Sequence, residues 1–179
     1  MFNYSRLAYD EGVEGTRWLN EDEQSTWRSF LEANRLLFER LEAQLQRDAA
    51  MPVSYYQVLV HLSEAPGRAL RMSELAKATG SSRSRLSHAM ARLEAAGWAA
   101  RRSCLTDGRG EVAVLTAEGL TALEEAAPGH VTAVRESLFD VLSPSQVREL
   151  GRICQQVIGG LRADMERPSE DQAVPSQSD

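Results

Sequence analysis

Apolar residues recur at three- and four-residue steps over residues 20–48. Trp27, Phe30, Leu31, Leu37, Phe38, Leu41 and Leu45 form one stripe, with Glu32, Arg35, Glu39 and Glu42 outside it. That period predicts a long amphipathic helix. Asn20 is its expected cap, because Glu21, Asp22 and Glu23 follow at the positive end of the helix dipole. Met51-Pro52-Val53 breaks the pattern. Ser54 is then expected to cap a second helix, with Gln57 closing a capping box and Val53 and Val58 stapling the turn; the helix should end near Glu64, before Ala65-Pro66-Gly67.

The stretch from Met72 to Gly80 reads as a short third helix and a glycine turn. A fourth helix follows over the stretch from Ser81 to Glu94. On a wheel of 100° per residue its Leu86, Met90, Leu93 and Gly97 share one narrow arc, while Ser84, His88, Ala91 and Ala95 sit opposite. Gly97 is a left-handed stop. Ala99–Ser103 and Glu111–Leu115 then read as two strands, and Asp107-Gly108 supplies the turn of a hairpin. Thr116 should open a fifth helix, which Pro128-Gly129 should kink or divide. Leu142-Ser143-Pro144-Ser145-Gln146-Val147 carries every helix-start signal, so a sixth helix is expected over about 144–164, with Val147, Leu150, Ile153, Val157, Ile158 and Leu161 as its stripe.

The expected fold class is therefore mainly α: a winged helix-turn-helix, with a three-helix core, a two-stranded β-wing and long N- and C-terminal helices. Residues 1–19 would be an N-terminal extension and 20–164 one domain. Within it, 20–48 and 117–164 would serve dimerisation and 54–116 would form the lobe carrying the wing; 165–179 would be a disordered tail. The end helices hold more apolar surface than a small winged-helix core can cover, so a second copy of the chain is the simplest partner for them.

The chain carries 20 basic and 26 acidic side chains, a net charge of −6, which argues against nucleic acid until the charges are located. Residues 68–110 hold nine basic groups and three acidic ones. A basic island in an acidic frame presents one face to phosphates, where released counterions stabilise binding whatever the total charge. A reading helix enters the major groove by its N-terminal part. Ser82, Arg83, Ser84, Arg85 and His88 are thus best placed for base edges and nearby phosphates, with Arg92 on the flank. Arg109 at the hairpin tip can enter the minor groove, and Arg101 and Arg102 flank it.

Leu75-Ala76, Ser82-Arg83-Ser84-Arg85-Leu86, Arg92-Leu93-Glu94 with Gly97, Asp107-Gly108-Arg109-Gly110 and Val114-Leu115-Thr116-Ala117-Glu118-Gly119 together resemble the multiple antibiotic resistance regulator (MarR) family. The likeness spans about residues 20–163. It implies a homodimeric transcription factor, usually a repressor, whose first and last helices interlock across the dimer axis, and which binds a pseudo-palindromic operator in double-stranded DNA. It also implies that Asp107 braces the wing, that Arg109 is the minor-groove finger, and that a small aromatic ligand occupies a crevice between the dimer layer and the DNA-binding lobe. Trp27, Tyr55, Tyr56 and His61 lie on the helices that would line such a crevice.

Cys104 and Cys154 are too few for a disulfide framework, and His61, His88 and His130 are scattered. No metal or other cofactor is expected. Neither a catalytic motif nor a run of about 18 apolar residues is visible, which weighs against an enzyme and against a membrane span and leaves the cytoplasm as the expected compartment. Two alternatives accompany the DNA-binding reading. One is a winged-helix module used for protein contacts; the other is a redox-sensing regulator acting through Cys104, whose thiol lies near Arg101 and Arg102.

Overall fold

The computed structural model describes residues 16–103 and 110–166. The expectations of a loose N-terminus before residue 16 and of a disordered tail from 167 on lie outside that range. The chain forms two units, one ending at Val134 and one beginning at Arg135.

In the first unit, α1 spans Glu21–Ala49 and starts as its sequence dictates: the Asn20 side chain accepts from the Glu23 amide (2.9 Å) and the Glu23 carboxylate accepts from the Asn20 amide (2.8 Å). Arg35 pairs with Glu32 and Glu39, each at 2.7 Å, along its outer face. Only the C-terminal part of its apolar stripe is buried, at Leu41 and Leu45, whereas Trp27, Phe30, Leu31 and Phe38 remain exposed.

Helix α2 spans Val53–Glu64, and its start differs from expectation. Ser54 caps nothing and is exposed. Pro52 already holds the extended geometry of a cap position, and the Val53 amide is taken by the Glu42 carboxylate of α1 at 2.9 Å. A side chain eleven residues upstream has replaced the local cap, because the chain doubles back and brings a carboxylate to the positive helix end.

After a short 3-10 turn, Pro66–Arg68, comes a strand the sequence pattern does not disclose, β1 (Ala69–Arg71). Helices α3 (Met72–Ala78) and α4 (Arg83–Ala95) follow, then β2 (Ala99–Ser103) and β3 (Glu111–Leu115). The sheet is antiparallel with order β1-β3-β2, so the expected two-stranded wing is backed by a third strand. Three residues are too few to show a period of two, which is why β1 is hidden in the sequence. Leu59, Leu62, Leu75, Leu86, Met90, Leu93 and Ala113 pack into the core beneath this sheet and α2 to α4.

Helix α5 (Ala117–Val134) continues through Pro128 instead of dividing there. The Thr116 hydroxyl accepts from the Gly119 amide (2.9 Å) and donates to the Gly97 carbonyl (2.7 Å), which joins the start of α5 to the end of α4. Farther along, Gly129 permits close approach to α1: a β-carbon there would lie 3.0 Å from the Gln44 amide nitrogen.

The second unit contains a π-helical turn, Arg135–Phe139, and α6, Pro144–Glu166. Ser143 and Gln146 form the expected capping pair: the Ser143 amide donates to Gln146 (2.8 Å), and the Gln146 amide donates to the Ser143 hydroxyl (3.3 Å). Ile153, Val157, Ile158 and Leu161 of α6 are exposed. No described helix is long and apolar enough to cross a membrane.

Candidate nucleic-acid interface

The turn between α3 and α4 is held by its own backbone. Gly80 takes φ 60°, a left-handed value that glycine adopts without steric cost, and the Ser81 amide returns to the Ala76 carbonyl at 2.9 Å. Ser82 is the N-cap of α4, accepting from the Arg85 amide at 3.3 Å. The far end of α4 closes on Gly97 (φ 76°), with the Trp98 amide bonded to the Leu93 carbonyl at 2.9 Å.

Between these stops, Leu86, Ala89, Met90 and Leu93 are buried, and Ser82, Arg83, Ser84, Arg85, His88, Ala91 and Arg92 are exposed. The wheel reading of α4 matches the burial seen at Leu86, Met90 and Leu93, with Ala89 as an addition; Gly97, expected on the same inward arc, lies past the end of the helix and is exposed. An exposed row of cations and hydroxyls on the N-terminal half of a helix, backed by a leucine and methionine face, is a rigid platform for phosphate and base-edge contacts.

Arg102 is exposed on β2. Arg101, expected on the same footing, differs and is revised. Its guanidinium lies 2.7 Å from the Glu94 carboxylate, and only 29% of its side chain is exposed. Hydrogen bonding to Arg101 is the main cause holding the Glu94 carboxyl below its ordinary range. Glu94 is the residue that sequence reasoning missed; the only signal was an acidic group at the C-terminal end of a helix, where the dipole disfavours it. Asp107, Arg109 and Cys104 lie outside the described residues, so the expectations for the wing tip and for redox chemistry at Cys104 do too. Cys154 is a free, exposed thiol on α6.

The four residues expected in a ligand crevice occupy four different settings. Trp27 is exposed and stacks on Phe30, with ring centres 5.9 Å apart. Tyr56 is buried against His130 at 4.4 Å, and burial pushes the Tyr56 hydroxyl above its usual range and His130 below. His61 is half-buried on α2. Tyr55 lines a hollow of about 720 Å³ together with Thr79, Ser84, Arg85 and His88. Among the described residues, no group of three or more His, Cys, Asp or Glu side chains is placed to hold a metal ion.

The sequence pattern of the MarR family matches residues 51–110, which include the whole helix-turn-helix and the first strand of the hairpin. Sco3205, a MarR family transcriptional regulator from Streptomyces coelicolor solved in complex with DNA, is 53% identical over 83% of this chain and 92% of its own, with a TM-score of 0.79. AbsC, a MarR family transcriptional regulator from the same organism, is 44% identical over 83% of this chain and 99% of its own, with a TM-score of 0.77. No curated protein matches the chain in sequence. With 53% identity over nearly the full length of a DNA-bound relative, and with the same winged architecture, the chain belongs to the MarR family and is a DNA-binding transcriptional regulator.

Proposed function

We propose that two copies of the chain grip a pseudo-palindromic duplex and act as a repressor that a small aromatic ligand releases. The observation that carries the DNA-contact part is the division of α4 into a fully buried apolar face and an exposed face bearing Arg83, Ser84, Arg85, His88 and Arg92. Arginine bridges guanine O6 and N7, serine and histidine make single hydrogen bonds, and Ala91 allows close approach. Arg102 and Arg109 extend the contact toward the minor groove, with Asp107 bracing the wing. That Sco3205 was solved with DNA supports this use of the fold.

The dimer rests on α1 and α6, each of which leaves a long apolar face in water: Trp27, Phe30, Leu31 and Phe38 on one, Ile153, Val157, Ile158 and Leu161 on the other. A second copy covers such faces and sets two reading helices about one DNA turn, ~34 Å, apart. Ligand response is supported by the hollow beside Tyr55, where an aromatic ring and the cation of Arg85 face one space. A small aromatic acid bound there would compete with DNA for the reading face.

Selection of duplexes from random DNA by the purified protein, followed by fluorescence anisotropy, tests the reading. Enrichment of an inverted repeat, with affinity falling by orders of magnitude between about 50 and 200 mM salt, is the expected result. No enriched duplex, or binding indifferent to salt, would overturn it.

A further inference from the structure

Glu94 stands where helix electrostatics disfavour it, next to the last residue of α4 at the negative end of the dipole. Arg101, seven residues on and in β2, compensates. Its Nε lies 3.1 Å from both carboxylate oxygens, its terminal nitrogen 2.7 Å from Oε2, and its backbone amide donates to Oε1 at 2.8 Å. A second terminal nitrogen comes within 4.0 Å of Glu111 on β3. Because β2 is an edge strand, the Arg101 amide faces away from the ladder, and Glu94 satisfies a donor that the sheet leaves open. One carboxylate therefore fixes the end of the reading helix to both the backbone and the side chain of the wing.

The covalent link between the two parts is short and turns at a left-handed glycine, Gly97, from which Trp98 leads into β2. A reading helix and a wing add their affinities only when both reach the same duplex at once, and a hinge between them dilutes that gain. We propose that Glu94 and Arg101 form a positioning clamp that sets the approach of the wing to DNA relative to α4. The proposal rests on α4 and the wing gripping one duplex. It assigns Arg101 to the protein side of the interface and Glu94 to DNA binding without contact with DNA.

Glu94→Gln separates this role from simple electrostatics. It is isosteric and keeps an acceptor for the Arg101 amide, but it loosens the guanidinium. Loss of a carboxylate beside a basic surface would by charge alone tighten DNA binding. The clamp requires the opposite: weakening by about five- to tenfold on the selected duplex, with the midpoint of thermal unfolding moved by less than about 3 °C. Arg101→Gln should weaken binding similarly, and the double variant should be no worse than the poorer single one, since both act through one pair. Unchanged or tighter binding by Glu94→Gln, or additive losses in the double variant, would overturn the clamp while leaving the interface intact. A wild-type chain that binds no duplex would overturn both.

Discussion

Gly119 at the start of α5 lies against the backbone of Trp98, so close that a β-carbon built on it would overlap the Trp98 carbonyl. The neighbouring groups are backbone, held by the Thr116 amide on the Trp98 carbonyl (3.2 Å) and the Thr116 hydroxyl on the Gly97 carbonyl (2.7 Å), and cannot swing aside. Gly119→Ala should therefore destabilise the fold by about 3 kcal/mol, at the upper end of overpacking effects, and lower the melting temperature by roughly 5–10 °C. Circular dichroism melts check this; a shift under 2 °C would show that α5 is not pinned there.

That contact gives a physical reason for the Leu-Thr-x-x-Gly run at residues 115–119, which the sequence offered only as a resemblance. Features made within a few residues were legible: the Asn20 and Ser143 caps, the Gly97 stop, the burial pattern of α4 and both wing strands to the residue. Features made between distant segments were not. The cap on Val53 comes from Glu42, β1 is defined only by its partner Val112–Val114, and Arg101 is turned inward by Glu94. At Pro128 the helix does not divide, since a proline removes one amide donor and a helix packed on α1 tolerates that loss. In the candidate interface, the α4 residues were readable from one helix period, but the inward turn of Arg101 depended on a tertiary ion pair.

Because Glu42 stands in for the local cap of α2, Glu42→Ala should cost about 1 kcal/mol, whereas Ser54→Ala, expected from sequence to be the damaging change, should be nearly neutral. Urea titrations of the two variants decide between the caps. Equal losses would restore Ser54 as a capping residue.

His130 presses on Tyr56 with its Nδ1 buried and, among the described residues, without a hydrogen-bond partner, and burial lowers its affinity for a proton from the ordinary pKa of 6.5. With the folded value below the unfolded one, the unfolded chain binds the proton first as pH drops, so stability falls below about pH 6.5 and levels once the folded form protonates too. His130→Gln should flatten that part of the profile. Melting temperatures measured from pH 7.5 to 5 would count against this if the two proteins lost stability in parallel.

On the DNA side, Arg85 at the front of α4 and Arg109 at the wing should fail differently. Arg85→Ala should cost about 1–3 kcal/mol on the preferred duplex and relax base preference within the half-site. Arg109→Ala should weaken all duplexes alike and reduce the salt slope by about one. Binding isotherms on a panel of single-base variants at several salt concentrations separate the two patterns; identical, sequence-blind losses would remove the division of labour.

The apolar face of α6 supplies the last prediction. Val157 and Leu161 are 55% and 59% exposed, on the stretch of α6 from Gly151 on that is exposed throughout its described side chains. A carboxylate placed in a covered interface must be desolvated without a partner, a cost of several kcal/mol that a pair of copies meets twice. Val157→Glu should therefore convert a dimer to monomer in sedimentation experiments while helix content stays near the wild-type value, because in the single chain this side chain faces water. Affinity for an inverted repeat should drop at least a hundredfold, to that of one reading head on one half-site. A variant that remains dimeric, or a monomer that binds the full repeat as tightly as the wild-type chain, would show that α6 does not hold the two heads together.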